Sequence, residues 1–213
     1  MEAYKAMYYE KRAAVLVRNL KSRHFDAWYC PTREEALKQA LALIPEGASV
    51  GWGGAASAWQ IGLMDALRKG SWRLFDREAA VTPEEKAQAA KDSMFADVFI
   101  TGANALSMDG QMVNIDGNGN RVAAVVYGPK NVIVIAGMNK AADTLEEAVR
   151  RARTVAAPIN KQRFPEGETP CLVTGQCADC KSDSCICNQI LITRNCRPAG
   201  RIRFILVGEE LGF

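Results

Sequence analysis

Two short apolar runs, Val98–Thr101 and Val132–Ala136, each empty into Gly and then Asn within a few residues. Between them lies Gln111–Arg121, a segment carrying three Asn, an Asp, two Gly and a closing Arg. Short hydrophobic strands that end in Gly- and Asn-rich turns are how open α/β sheets build ligand sites, because the crevice lies beyond the carboxyl ends of the strands. Gly admits positive φ and close backbone approach, and Asn tolerates the same region while offering an amide. The stretch Asp97–Lys140 therefore reads as a crevice for a small polar or anionic molecule. The alternative is an ordinary hairpin, since Asp109-Gly110 and Asp116-Gly117 are turn dipeptides in any protein. Neither a GxGxxG nor a GxxxxGK[ST] pattern occurs, so a dinucleotide or P-loop site is not indicated.

The rest of the chain alternates in the same manner. Glu2–Lys21 is free of Gly and Pro and rich in helix formers, which predicts a helix. Phe25–Cys30 predicts a strand. Thr32-Arg-Glu-Glu35 has capping-box spacing and opens a helix to about Ile44. A strand Ala48–Trp52 enters Gly51-Trp-Gly-Gly54 and a helix Ala55–Arg68. Ser71–Asp76 is a strand, and Thr82-Pro-Glu-Glu85 caps a helix to about Phe95. Val122–Tyr127 fits strand or helix equally. Asp143-Thr-Leu-Glu146 caps a further helix to about Ala156, and Arg201–Val207 is a closing strand. This order predicts right-handed crossovers and an α/β fold, a mostly parallel sheet covered on both faces.

Two glycine turns add candidate ligands. The Gly51–Gly54 turn leads straight into a helix, whose first N–H groups favour an anion by roughly 0.3–1 kcal/mol through the dipole alone. Gly137-Met-Asn-Lys140 follows the strand Val132–Ala136 and supplies a cation. If the turns are neighbours, Gly53, Gly54, Ser57, Asn139 and Lys140 surround one pocket. The competing reading is tight strand-to-helix packing.

After Pro158 the composition changes, and six of the seven Cys fall between 171 and 196. Their core, C-x5-C-x2-C-x4-C-x-C, starts at Cys171 and passes Cys177, Cys180 and Cys185 to Cys187. A C-x2-C pair lets two thiolates of one turn reach the same tetrahedral ion, and with one His in the chain ligation would be thiolate-dominated. The spacing is not that of a common ferredoxin, which ranks zinc above an iron–sulfur cluster, with free thiols as the alternative. His24, at a helix-to-strand boundary, reads as solvated, and Cys30 as a buried apolar filler.

Basic and acidic residues number 27 and 24 and are well mixed, so no nucleic-acid footprint stands out. No apolar run is long enough for a membrane span and the N-terminus is charged, which predicts a cytoplasmic protein with no membrane partner and thiols kept reduced. Homo-oligomerisation is compatible with this composition. A length of 213 residues suits a single domain, with residues 1–157 as the α/β core and 158–213 as a Cys-rich segment and closing strand.

The run TGANALSMDGQMVNIDGNGNRVAAVVYGPKNVIVIAGMNK, the later APINKQRF, the block PCLVTGQCADC…CICN and the closing GRIRFILVGEELGF resemble the LUD-domain family of lactate utilisation proteins. The resemblance implies a three-layer sandwich with a Rossmann-like sheet, akin to the NagB/RpiA/CoA-transferase superfamily, whose members handle sugar phosphates or coenzyme A thioesters at glycine-rich turns. It implies a loop at Gly102, Asn104, Asp109, Gly110, Asn114, Asp116, Gly117, Asn118, Gly119, Asn120 and Arg121, with Asp109 or Asp116 as acid/base if the protein is catalytic. It also implies a metal set of Cys171, Cys177, Cys180 and Cys187, with Cys185 a further candidate and Cys196 outside the pattern. Some family members join iron–sulfur subunits that oxidise lactate to pyruvate. This chain lacks ferredoxin-type cysteine repeats and a flavin motif, so the implied role is a ligand-binding accessory subunit. The other reading is a non-catalytic redox- or metal-responsive interaction subunit.

Overall fold

The computed structural model describes residues 3–213, so Glu2 of the expected first helix lies outside the described residues. The strands are β1 (Asp26–Cys30), β2 (Ser49–Trp52), β3 (Arg73–Phe75), β4 (Val98–Gly102), β5 (Ala105–Ser107), β6 (Met112–Asp116), β7 (Asn131–Gly137), β8 (Ala141–Ala142), β9 (Gln189–Thr193) and β10 (Ile202–Val207). Six of them form one wholly parallel sheet in the order β1-β10-β7-β4-β2-β3. The other four make a small second sheet, β8-β5-β6-β9, in which β6 runs antiparallel to both neighbours.

Helices cover both faces of the large sheet, as the strand–helix alternation predicts. The first, α1 (Ala3–Ser22), buries Tyr9, Ala13, Leu16 and Leu20, a stripe at i, i+4, i+7 and i+11. It ends where His24, exposed and at φ +66°, turns the chain into β1. The opposite face is covered by α2 (Arg33–Ala42), α3 (Ala56–Gln60) and α4 (Leu63–Lys69). The pleat of β7 serves both layers: Val132, Val134 and Ala136 join the cluster under α1, whereas Ile133 and Ile135 join the one under α2 and α4. A strand buried on both faces must be apolar throughout. Burying each such side chain contributes about 1.5–3 kcal/mol.

Several local expectations are corrected. The helix expected over Ala55–Arg68 is broken at Gly62, whose φ of +78° separates α3 from α4. Thr32 does cap α2, and α5 (Pro83–Asp92) has the full capping box at Thr82 and Glu85. In α7 (Leu145–Arg151) the box sits one residue later than expected, with Thr144 and Glu147 bonding reciprocally. That helix passes through a π-helical turn at Ala152–Ala156 into α8 (Ala157–Lys161). Pro158 has no N–H to give Thr154 and its ring crowds that turn, so a local widening accommodates it. Val122–Tyr127 belongs to a helix, α6 (Asn120–Tyr127), which buries Arg121, Ala124 and Val125. The expected crevice loop Gln111–Arg121 is only partly loop, because Met112–Asp116 is strand β6 in a β5–β6 hairpin.

Candidate functional site

Because β2, β4 and β7 are parallel neighbours, their carboxyl ends open on one edge of the sheet. The chain leaves β2 through Gly53 and Gly54, leaves β4 through Gly102, and leaves β7 into the single turn Met138–Lys140. The first two exits are stapled together: Gly102 N–H donates to Gly54 O at 3.1 Å, and Thr101 Oγ1 donates to Gly53 O at 2.8 Å. Lys140 then points inward. Its side chain is 3% exposed, and Nζ donates to Ser57 Oγ of α3 at 3.1 Å. Burial, and then the nearby Arg151 and Arg121 charges, push the Lys140 pKa down to about 7.

Arg121 is the second buried cation. Its guanidinium donates to Ile115 O and lies 3.6 Å from the Asp116 carboxylate, while its Nε has no partner among the described residues. Burial lowers its pKa against the opposing effect of Asp116. Gly54 is exposed, has φ +60°, and a Cβ there would stand 2.5 Å from Arg121 Nη1, so only glycine lets the backbone pass over this guanidinium. Arg151, at the end of α7, donates to three carbonyls, Asn139 O at 3.1 Å, Asn104 O at 2.6 Å and Phe213 O at 3.1 Å. Asn114, fully buried in β6, donates to Gly102 O at 3.0 Å and leaves its Oδ1 unpaired.

Residues 208–213 close over this edge. Leu211 N–H donates to Asn139 Oδ1 at 3.1 Å, and Gly212, at φ +66°, passes so near that a Cβ would meet Lys140 Nζ at 2.6 Å. On the outer side a cleft of about 970 Å³ runs between α5 and the turn into α6, lined by Arg77, Lys86, Asn118, Gly119, Asn120 and Arg163. It adjoins the buried cations through Asn120, whose amide stands 3.5 Å from where a Gly53 Cβ would be.

The structure thus gathers Gly53, Gly54, Ser57, Gly102, Asn114, Arg121, Asn139 and Lys140 on one edge, with Asn118, Gly119 and Asn120 along the adjoining cleft and Gly117 packed on Ile186. Asn104 works on backbone, accepting Ile115 N–H at 2.8 Å. The two Asp stand at opposite ends of the β5–β6 hairpin. Asp116 Oδ2 accepts the N–H groups of Arg121 and Val122 at 3.0 and 3.1 Å, capping α6. Asp109 is exposed beside α1. Burial there favours its neutral form, but hydrogen bonds from Ser107 and Gln111 and the charge of Arg23 together outweigh it, and its pKa lies below the ordinary value.

The cysteines occupy a second place. Cys171 lies in the short helix α9 (Pro170–Thr174), and together with Cys177, Cys180, Cys185 and Cys187 it lines one cavity of about 70 Å³. Among the described residues no three His, Cys, Asp or Glu side chains are gathered closely enough to hold a single metal ion. Burial, followed by Cys185, Cys177 and Cys171, pushes the Cys187 thiol up to about 12. Cys196 is elsewhere, donating to Pro198 O at 3.1 Å. Cys30 is buried, and that burial raises its thiol to about 11, which suits a packing role.

The LUD domain family matches residues 13–207. This chain belongs to the LUD domain family. A crystal structure of a DUF162 family protein from Deinococcus radiodurans superposes with a TM-score of 0.52 at 13% identity, covering 93% of this chain and 97% of the other. Ribose 5 phosphate isomerase A from Neisseria gonorrhoeae gives a TM-score of 0.34 at 19% identity over 53% of this chain and 54% of its own. No curated protein matches. At that first level of likeness the fold is shared, and this LUD domain's own side chains must carry any argument about chemistry.

Sequence reasoning missed Arg151, Gly212 and Phe213 in this LUD domain. Arg151 is one of three Arg within four residues of a polar helix, and nothing in the spacing singles out the one that turns inward. Gly212 and Phe213 belong to the closing GEELGF motif, which marked the family without indicating a place.

Proposed function

We propose that this LUD domain serves lactate utilisation by binding a small carboxylate of the 2-hydroxy- or 2-oxo-acid class at the carboxyl edge of β2, β4 and β7, as a ligand-binding subunit alongside iron–sulfur proteins. The observation that carries the reading is Lys140. A buried ammonium held by one serine hydroxyl is costly, several kcal/mol for an unpaired ion, and a bound anion removes that cost. Arg121 Nε is an unused donor for the same anion. Asn114 Oδ1 is an unused acceptor for a ligand hydroxyl, and its amide is tied to the Gly102 carbonyl beside Lys140. An anion with a neighbouring hydroxyl satisfies both.

The test is thermal unfolding with lactate, pyruvate, inorganic phosphate or coenzyme A added. A ligand at about 100 times its Kd stabilises by about 2.7 kcal/mol, roughly 5–10 °C for a chain of this size. Lactate or pyruvate should raise the Tm of the natural chain and leave Lys140→Met unchanged. Stabilisation by phosphate or coenzyme A alone would replace the carboxylate class with a phosphorylated one. An equal shift in Lys140→Met would remove the site.

A further inference from the structure

Five cysteines from three separate segments line one cavity. Cys171 comes from α9, Cys177 and Cys180 from one C-x2-C turn, and Cys185 and Cys187 from the run entering β9. The segment is not loosely attached. Asn188 N–H donates to Asp116 O at 2.9 Å, and β9 then pairs with β6 from Gln189↔Asp116 to Thr193↔Met112, which holds Cys187 against Ile115.

Two features indicate what this cavity takes. The first is its size. Four thiolates on one zinc ion, at Zn–S of about 2.3 Å, stand about 3.8 Å apart and leave no void between them. Here the five cysteines are among the residues lining a cavity of about 70 Å³, well above the roughly 10–15 Å³ that one water-sized occupant requires. The second is charge. Lys161 lines the same cavity at 2% exposure, and its Nζ donates only to the Glu166 carbonyl, with no carboxylate partner among the described residues. Arg153 lines it as well. Two cationic side chains lining the same cavity as five cysteines suit an occupant that is anionic once ligated, as a thiolate-ligated cluster is.

We propose that the cavity holds a [4Fe–4S] cluster ligated by Cys171, Cys177, Cys180 and Cys187. Cys185, whose sulfur accepts the Cys187 N–H at 3.4 Å, is the hydrogen-bonding neighbour and not a ligand. Ligation deprotonates four thiols and gives a site of net negative charge beside Lys161 and Arg153. The cavity and the anion site share Ile115 of β6, which lines the cavity while its carbonyl accepts from Arg121. The cluster does not depend on the carboxylate reading.

The experiment uses the full chain purified without oxygen, or reconstituted with ferrous iron and sulfide. The natural chain should contain about four iron and about four acid-labile sulfide per chain, absorb broadly in the visible, and give an electron paramagnetic resonance signal after reduction by dithionite. Cys187→Ser and Cys180→Ser should lose this chromophore, and Cys185→Ser should keep it. Circular dichroism and lactate-induced stabilisation, followed in the same variants, separate loss of the cluster from loss of fold or of the anion site. Zinc at about one per chain without iron overturns the cluster. So does a metal-free chain, anaerobic or reconstituted, in which every thiol is reactive. Loss of the chromophore in Cys185→Ser with retention in one of the other variants overturns the ligand set.

Discussion

Lys140 concentrates the argument at the scale of a residue. Its pKa falls from 10.5 in water to about 7 in the fold, so between those values the unfolded chain binds the extra proton. The ligand-free protein should therefore gain stability as pH rises from about 7 towards 10.5 and show no pH dependence from Lys140 below 7, where both states are protonated and its destabilising effect is complete. An anion reverses the preference, since it holds the proton on Nζ. Lactate-induced stabilisation should be largest below pH 7 and shrink above it, and urea titrations across that range, with and without lactate, check both slopes. Lys140→Met should abolish both dependences and raise the Tm of the ligand-free protein by several degrees, because it removes a buried charge from between Arg121 and Arg151. A ligand-free Lys140→Met protein that melts lower than the natural chain would mean that the ammonium is already compensated. Asp109 behaves differently: it bonds to Ser107, Gln111 and Arg23, so Asp109→Asn should loosen the hairpin and leave lactate-induced stabilisation intact.

At the scale of the element, the legible parts were those with a local cause. Thr82 with Glu85, the apolar stripe of α1 and the β-branched runs of β4 and β7 each state their conformation within a few residues. The glycine turns at 53–54 and 137–140 were legible as one pocket only on the condition that they are neighbours, a condition that the parallel order β7-β4-β2 supplies. What stayed hidden depends on distant partners. Met112–Asp116 is a strand because β5 and β9 pair with it, and β9 comes some seventy residues later. Val122–Tyr127 is a helix because Asp116 caps it from outside. Gly62 lay within a run of good helix formers, and its conformation, not its neighbours, ends α3. Its surroundings are open, with nothing within 4 Å of an added Cβ, so Gly62→Ala isolates the cost of φ +78°. That cost is about 1–2 kcal/mol, a Tm lower by roughly 2–8 °C, with lactate-induced stabilisation unchanged. An alanine variant as stable as the natural chain would imply that α3 and α4 can merge into the single helix the sequence suggests.

For the whole molecule the decisive fact is where the last strand goes. Residues 158–213 read as a Cys-rich segment and a closing strand, and β10 lies between β1 and β7, inside the sheet, paired to both. Phe204 packs edge-on against Phe25 with ring centroids 5.2 Å apart, and Phe204, Ile205, Leu206 and Val207 are all fully buried. At about 1.5–3 kcal/mol each these four contribute roughly 6–12 kcal/mol, which is comparable to the entire net stability of a domain of about 5–15 kcal/mol. Removing β10 also strands the facing N–H and C=O groups of β1 and β7. A chain ending at Ala157 should accordingly show no cooperative melting transition and should expose apolar surface to a hydrophobic dye. The Cys-rich turns are placed otherwise, against the second sheet and α8, so a variant with Ser at 171, 177, 180, 185 and 187 should keep a cooperative transition and the far-ultraviolet dichroism of the natural chain. The comparison separates a strand on which the sheet depends from a segment that the sheet merely carries. Cooperative melting of the chain ending at Ala157 would make residues 1–157 a folding unit in their own right, with β10 an addition to it.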